Sequence, residues 1–421
     1  FVTSAHFLGN SFAANMTYRQ MVALAIRMHI FAEELLQEHE PLAIVGYPGS
    51  ILYSPLINIA ESRGIRMISL WPPRRDNHYT WITDRFGWIE GLAEEFEREY
   101  AMLLRTSKYE VLETEQNHLD TPERAKIHLD ALRTKTTILP LLRKIYRQLR
   151  VELPKHIRGQ RFDYGNYILT HKLSVILKGW LKDRRALRQH WVLPTLEPDM
   201  PFIFVPLTTE PEAALMVESQ RADDQTAIIN WLAKTIPAGW HLVVKEHPLQ
   251  PTPRMKGFFE RIRRYPNVIM AAALEPSDAF VQRAKAVALI HGTVGLQCAF
   301  GGKPVIIYHR HFIARVLPHV MYADSYDTTE AAVSRIVEDD LPTMRERYLA
   351  GKAFDRVWER HGFPITNDNM LAGHAGKGGI SENDLKGLFE KFYASLDKAS
   401  VAKRPLAVTT SEDTAMQNIA D

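Results

Sequence analysis

The stretch IHGTVGLQCAFGGKPVIIY, from Ile290 to Tyr308, decides the fold of this chain. It begins at the end of an apolar run, passes through small and hydroxyl residues into an apolar helical segment, and reaches a second apolar run after a glycine-rich turn. A strand, a helix and another strand at this spacing are typical of a parallel sheet with crossover helices. The stretch therefore predicts an α/β fold.

The same alternation continues on both sides of this stretch. In the second half, strands are predicted at residues 202–207, 241–248 (a strand with its exit), 268–271, 286–290 and 305–308, with helices between them. In the first half, residues 43–47 and 65–71 form a similar pair of strands around one helix. Because parallel sheets bind ligands beyond the carboxyl ends of their strands, the loops that follow these strands are the places to look for a site.

Three prolines, Pro194, Pro198 and Pro201, interrupt regular structure between the two halves. We therefore predict an N-terminal α/β domain with a long helical insertion at residues 1–195 and a C-terminal Rossmann-type domain at residues 196–370. Residues 371–421 are expected to hold a flexible segment, one helix and a polar tail.

Composition excludes several classes of protein. The 421 residues are 46% hydrophobic and 24% charged, which is typical of a globular protein, and a net charge of +3 is too small to indicate nucleic-acid binding. The single cysteine, Cys298, cannot form an internal disulfide and favours a reducing compartment. Since no apolar run approaches the ~20 residues of a membrane helix, we expect a cytoplasmic location.

Two stretches in the first half are strongly basic and helical: ALRTKTTILPLLRKIYRQLR (Ala131–Arg150) and LKGWLKDRRALRQHW (Leu177–Trp191). The simpler interpretation is that they are solvated helix faces over a core. The alternative is a surface for an anionic acceptor or for membrane lipid.

The turn after the strand that ends at His291 is suited to binding phosphate. Gly292 and Gly295 let the backbone approach a ligand, and Thr293 can donate a hydrogen bond from its hydroxyl. Val294 belongs to the same predicted binding turn, and the apolar helix that the turn opens, predicted at residues 296–300, offers N–H groups and a partial positive charge. The alternative is a turn that only connects a strand to a helix.

The segment VVKEHPLQ, from Val243 to Gln250, places polar residues at the exit of another apolar strand. Lys245 and His247, followed by Pro248, can neutralise a phosphate group as it leaves. The alternative for His247 is a local cap or hydrogen bond. Both loops follow strands of one sheet, so we expect them to face the same crevice.

Three motifs together, TTEPEAAL (Thr208–Leu215), KEHP (Lys245–Pro248) and HGTVGLQCAFGGKPV (His291–Val305), resemble the capsule polysaccharide biosynthesis family. That family includes bacterial β-Kdo transferases, and the segments are more distantly similar to bacterial sialyltransferases. The resemblance implies a GT-B-like arrangement, with two Rossmann-type domains whose parallel sheets face a central cleft.

The resemblance also implies a nucleotide-activated sugar as donor, CMP-Kdo in the characterised transferases, and no further cofactor. In the family, the histidine-proline motif and the hydroxyl-bearing loop hold the nucleotide phosphate, which corresponds here to His247, Pro248 and Thr293. The loop usually begins with serine, whereas this chain has His291, so we expect altered nucleotide contacts.

Glycosyl transfer passes through an oxocarbenium-like state and needs a carboxylate as base or nucleophile. Glu210 and Glu212, directly after the first strand of the second half, are the candidates within a motif, and Asp76 and Asp84 are weaker ones. The alternative for Glu210 and Glu212 is a solvated loop or a helix N-terminal charge. Together with His247, the two glutamates are the predicted catalytic residues.

A polar cluster, Arg74, Arg75, Asp76 and His78, follows the second predicted strand of the first half. It is predicted to contact an anionic acceptor, with surface charge as the alternative. No Asp-x-Asp motif and no His or Cys spacing suited to zinc is present, so no metal site is predicted.

The sequence therefore predicts a metal-independent glycosyltransferase that moves a sugar, Kdo or a related acidic sugar, to a bacterial surface polysaccharide or its lipid linker. Its expected partners are a nucleotide sugar, a glycan or glycolipid acceptor, and the inner membrane or polysaccharide assembly machinery. Two alternatives stay open: a sugar-nucleotide epimerase of the same fold, and a non-catalytic component that binds nucleotide sugars.

Overall fold

A computed structural model shows the fold. It describes residues 7, 16–46, 53–71, 78–83, 87–106, 136–163, 166–188, 196–210, 219, 224–247, 250, 254–271, 275, 277–364 and 382–401. The helices are α1 (Tyr18–His39), α2 (Tyr53–Ser62), α3 (Leu92–Thr106), α4 (Ile138–Ile157), α5 (Ile168–Arg188), α6 (Gln225–Thr235), α7 (Phe258–Arg263), α8 (Ser277–Arg283), α9 (Thr293–Phe300), α10 (Ile313–Val316), α11 (Tyr326–Val337), α12 (Met344–His361) and α13 (Glu382–Val401). The strands are β1 (Ala43–Val45), β2 (Arg66–Trp71), β3 (His78–Ile82), β4 (Phe162–Asp163), β5 (Asn166–Tyr167), β6 (Phe202–Pro206), β7 (His241–Lys245), β8 (Val268–Ala271), β9 (Ala286–Leu289), β10 (Val305–Ile307), β11 (Val320–Tyr322) and β12 (Phe363–Pro364).

The second half contains a six-stranded sheet in the order β11-β10-β9-β6-β7-β8, and every pair in it is parallel. The chain builds outward from β6 through β7 to β8, then returns to the other side of β6 and builds outward from β9. This is the doubly wound order, and its switch point lies between β6 and β9. The predicted α/β class is confirmed.

The strands of this sheet are continuous apolar runs because both faces of the sheet are covered. In β6, Phe202 and Phe204 belong to one buried cluster, and Ile203 and Val205 belong to the other. Neighbouring strands and the helices on each face supply the rest of each cluster, as expected when crossovers lie on both faces of a parallel sheet. Cys298, in α9, is 3% exposed, and burial raises its pKa to about 12.

The first half contains a four-stranded sheet in the order β1-β2-β3-β12. The pair β1-β2 is parallel, as the sequence predicts, whereas β3 lies antiparallel to both β2 and β12. The physical reason is the short connection from Trp71 to His78, because a parallel crossover needs about a dozen residues or more. This sheet is therefore mixed, and the all-parallel prediction applies only to the second sheet and the β1-β2 pair.

The end of the described chain returns to the first sheet. Helix α12 packs against α3, β12 pairs with β3, and α13 packs on both strands. The Trp81 indole donates to the carbonyl oxygen of Leu388, in α13, at 3.1 Å. The predicted boundaries at residues 195 and 370 lie outside the described residues and stay a prediction.

The carboxyl ends of the two sheets meet. Trp71, the last residue of β2, lies with its ring 6.3 Å from that of His311, which follows β10. Gly87 contacts the Phe312 ring so closely that an added Cβ would lie 2.6 Å from it. The two halves share one buried core, which places the ends of both sheets at a common cleft and agrees with the predicted GT-B-like arrangement.

The predicted basic helices correspond to α4 and α5, which pack against each other as a hairpin around the short β4-β5 pair. Among the described residues, none of the helices has the length and apolarity needed to cross a bilayer.

Candidate active site

The switch point between β6 and β9 forms the centre of the candidate site. Thr208 follows β6, and its hydroxyl donates to the carbonyl oxygen of His291, which follows β9, at 3.0 Å. The two loops are therefore joined where the strand order reverses. Ligands of doubly wound sheets bind in the crevice at this position.

Helix α9 begins directly in this crevice. Its N-cap, Gly292, has a φ of 145°, a conformation that L side chains rarely adopt. Glycine supplies no side-chain oxygen to cap the helix, so the first N–H groups and the positive end of the helix dipole are available to an anion. The phosphate-binding role of this turn stays a prediction.

Gly295 lies where the first turn of α9 packs against the end of β9. A Cβ at this position would lie 2.7 Å from a methyl group of Leu289, at the end of β9. The glycine therefore lets the first turn of α9 lie close against the strand. Sequence alone suggested ligand approach here, whereas the contact is one between helix and strand.

The exit of β7 supplies positive charge beside the switch point. Lys245, the last residue of β7, is only 5% exposed. Its carbonyl oxygen accepts from the backbone N–H of Leu207 at 2.8 Å, which ties the two strand exits together. His247 lies two residues further on, and its backbone N–H donates to Glu246 at 2.6 Å.

Arg254 organises the loops after β6 and β7, although no motif contains it. Its side chain is 2% exposed and donates to both carboxylate oxygens of Glu246, from Nε at 3.0 Å and from Nη2 at 2.7 Å. The same guanidinium donates to Glu210 Oε2 at 3.0 Å and to the carbonyl oxygen of Thr208 at 2.7 Å. A buried arginine with this many acceptors holds the two loops in one arrangement.

Two buried glutamines hold the loop after β6 through paired hydrogen bonds to its backbone. Gln225 accepts from the Thr208 N–H at 2.8 Å and donates to the Thr208 carbonyl oxygen at 3.1 Å. Gln250 does the same with Glu210, at 2.9 Å and 2.5 Å. These four hydrogen bonds fix the backbone of the loop at Thr208 and Glu210.

Two hydrogen bonds to the carboxylate of Glu210 limit the role that this side chain can have. Its Oε2 atom accepts from Arg254 and also from Gln225, at 3.3 Å. The side chain is 26% exposed. A carboxylate in an ion pair with a buried arginine is held in place and is well suited to positioning the loop.

A row of histidines connects the switch point with the first sheet. The ring of His291 lies 5.1 Å from that of His309, which lies 5.9 Å from the ring of His311. His309 and His311 follow β10, and both are at most 5% exposed. Within the described residues, no group of three or more His, Cys, Asp or Glu side chains is arranged to hold a metal ion.

Several predicted site residues lie outside the described residues: Glu212, Pro248, Arg74, Arg75, Asp76 and Asp84. His78 is the first residue of β3 and Thr293 is the first residue of α9. For both residues the structure describes the backbone. The structure brings together Glu210, Lys245 and His247 with the turn at residues 291–295. Their roles stay predictions.

Sequence reasoning missed Arg254, Gln225 and Gln250. Glu210 and Arg254 are 44 residues apart, and no spacing rule links them. The only local signal was the run of polar residues after Lys245. It identified the loop after β7 but not the contacts of that loop with the loop after β6.

Comparison with known families supports the resemblance found in the sequence. Residues 128–314 match the family model described as capsule polysaccharide biosynthesis protein. The match includes β6 to β10 and therefore the loops at the switch point. The resemblance to that family is confirmed over these residues.

No curated protein shows significant sequence similarity to the chain. Among solved structures, the S. aureus MnaA–UDP complex is 9% identical, with a TM-score of 0.29 and coverage of 79% of this chain and 76% of that one. A putative UDP-N-acetylglucosamine 2-epimerase from Listeria monocytogenes is 8% identical, with a TM-score of 0.28 and coverage of 85% and 80%. The glycotransferase of kitacinnamycin is 14% identical, with a TM-score of 0.27 and coverage of 83% and 80%. Because these TM-scores are low, the similarities do not support an inference about the function of this chain.

Proposed function

We propose that this chain is a glycosyltransferase of surface polysaccharide synthesis that binds its nucleotide-sugar donor at the carboxyl edge of the six-stranded sheet. The observation that carries the proposal is the switch point itself, where a glycine-capped helix and a buried lysine flank one crevice. The match to the capsule polysaccharide biosynthesis family includes both features.

In this proposal the phosphate of the donor lies at the N-terminus of α9. The helix dipole and the N–H groups that follow Gly292 stabilise the negative charge that develops as the nucleotide leaves. Lys245 and His247, at the exit of β7, add positive charge on the neighbouring side, and Pro248 would shape the turn. These basic groups would take the place of a metal ion, so no cofactor is proposed.

A carboxylate must activate the acceptor hydroxyl. Glu210 already accepts hydrogen bonds from Arg254 and Gln225, so we assign it mainly to ordering the loop. Glu212, two residues further along the same motif, is then the better candidate for the base. Separate Glu210→Gln and Glu212→Gln variants would distinguish the residue that orders the loop from the residue that acts as the base.

The donor sugar is proposed to be Kdo or a related acidic sugar carried on CMP. His291, in the place where the family usually has serine, would alter the contacts to that nucleotide. The acceptor, a glycan or glycolipid at the inner membrane, would lie on the side of the first sheet, near Arg74, Arg75, Asp76 and His78. We propose a cytoplasmic location, peripheral to the inner membrane, in contact with the polysaccharide assembly machinery.

Calorimetric titration with CMP, CDP, UDP and GDP tests the proposal. We expect CMP to bind most tightly and Lys245→Met to weaken it, because the lysine offsets phosphate charge. A chain that binds none of the four nucleotides would refute the proposal. Incubation of the preferred nucleotide sugar without acceptor, followed by NMR, would detect an epimerised product and so identify the epimerase alternative.

A further inference from the structure

The hairpin of α4 and α5 carries a stripe of exposed apolar side chains. Along α4 the stripe recurs at steps of four and seven residues, which keeps it on one side of the helix at 100° per residue. Its members are Ile138 (62% exposed), Leu142 (55%), Tyr146 (67%), Leu153 (40%) and Ile157 (74%). The stripe lies beside the face that packs on α5, where Glu152 is 3% exposed. It is therefore not part of the contact within the hairpin.

The charges of the hairpin are strongly one-sided. The two helices contain eleven lysines and arginines but only two acidic residues, Glu152 and Asp183. Both acidic side chains are 3% exposed, and Glu152 accepts from Lys172, in α5, at 2.8 Å. Arg143, Arg147 and Arg150 are exposed and fall next to the apolar stripe on its outer side. The solvent therefore meets an apolar band bordered by a band of arginines.

We propose that this face of the hairpin docks onto the surface of an anionic lipid bilayer. An apolar band beside a basic band is the pattern of helices that lie in the membrane interface, where the apolar side chains enter the acyl boundary and the cations contact headgroups. Tyr146 in the middle of the band suits this position, because its ring is apolar and its hydroxyl is polar.

Charge favours a lipid surface over a second copy of the chain. In a two-fold symmetric dimer the same patch meets itself, so one row of arginines would face the other. Anionic headgroups instead complement the row.

The inference deepens the proposed function, because it names the surface through which the chain would reach the membrane of a lipid-linked acceptor, and that consequence rests on the proposed function. The docking itself does not rest on the proposed function, since it depends only on side chains of the hairpin.

Vesicle flotation of the full chain tests the inference, with vesicles of phosphatidylcholine alone and of phosphatidylcholine mixed with phosphatidylglycerol. We expect flotation only with the anionic vesicles and its loss in high salt. The triple variant Arg143→Ser, Arg147→Ser, Arg150→Ser should weaken binding on the order of 100-fold, from about a fivefold contribution per cation near the surface. A second variant, Leu142→Ser, Tyr146→Ser, Leu153→Ser, should also fail to float.

The matched control changes three exposed cations of the second half, Lys234→Ser, Lys256→Ser and Arg261→Ser, and should float like the unaltered chain. Equal flotation of the control and the arginine variant would overturn the inference, as would an unaltered chain that does not float. Light scattering that shows a dimer dissociated by the stripe variant would assign the face to a second copy instead. Nucleotide titration of the same samples keeps the two proposals apart, because donor binding does not require the hairpin.

Discussion

Single residues in the candidate site differ in what they can do, and Arg254 illustrates this best. It lies outside every motif, yet it joins Glu210, Glu246 and the backbone at Thr208 in one network. The motif residues Lys245 and His247 are proposed to contact the donor, whereas Arg254, at 2% exposure, acts through the groups it holds. Arg254 is therefore a positioning residue.

Arg254→Met should destabilise the protein by about 3 kcal/mol, because it leaves two neighbouring carboxylates without their buried partner. Urea unfolding measures the loss. The control Arg261→Met removes an exposed arginine and should change the free energy of unfolding by less than about 0.5 kcal/mol. Equal losses in the two variants would mean that the network does not contribute to stability.

His247→Ala should lower kcat roughly 100-fold if the donor phosphate leaves beside this side chain. The hydrogen bond from its backbone N–H to Glu246 is kept in the variant, so the thermal midpoint should change little. His39→Ala, an exposed position at the end of α1, is the matched control. Near-normal turnover in His247→Ala would exclude the proposed role.

At the scale of elements, the contact between α3 of the first half and α12 of the second half is the main one that holds the two halves together. Glu99 of α3 accepts from Arg356 and Arg360 of α12, both at 3.0 Å. Burial alone would raise the pKa of Glu99, but the hydrogen bonds and charges of the two arginines outweigh it and hold the pKa below its usual 4.5. A carboxylate with a lowered pKa stabilises the folded state above its ordinary pKa, and the contribution is lost as the pH falls through the lowered value.

Glu99→Gln should therefore destabilise the protein by roughly 1.5 kcal/mol at pH 7, because the amide has one acceptor oxygen for the two arginines and carries no negative charge. The difference from the unaltered chain should shrink as the pH falls below 4.5, where Glu99 itself becomes protonated. Urea unfolding at several pH values checks this, with the exposed Glu97→Gln on the same helix as control. A difference that stays constant with pH would show that the charge of Glu99 is not what holds α3 to α12.

On the scale of the whole molecule, the described chain closes on itself through α13. The ring of Phe392 lies 5.1 Å from that of Trp81, which is 8% exposed in β3. Together with the β3-β12 pair, this contact fastens the end of the described chain to the first sheet. The first half therefore depends on residues that follow the second half in sequence.

Phe392→Ala should release α13 and cost about 2 kcal/mol, the usual range for losing a partly buried aromatic contact. Hydrogen exchange followed by mass spectrometry should show faster exchange across residues 382–401. Tyr393→Ala, at a position 61% exposed, is the neighbouring control and should leave exchange unchanged. Faster exchange in both variants would indicate that the Trp81 contact does not hold the helix.

The sequence by itself determined the α/β class, five of the six strands of the second sheet, β11 being the one it missed, and the loops of the candidate site. It could do so because buried parallel strands are short apolar runs, and because polar residues such as Lys245 and His247 at a strand exit are visible locally. The tertiary structure alone decided the antiparallel addition of β3 and β12, the return of α13 and the link from Arg254 to Glu210. Each of these depends on a contact between residues far apart in the chain, and no local pattern records such a contact.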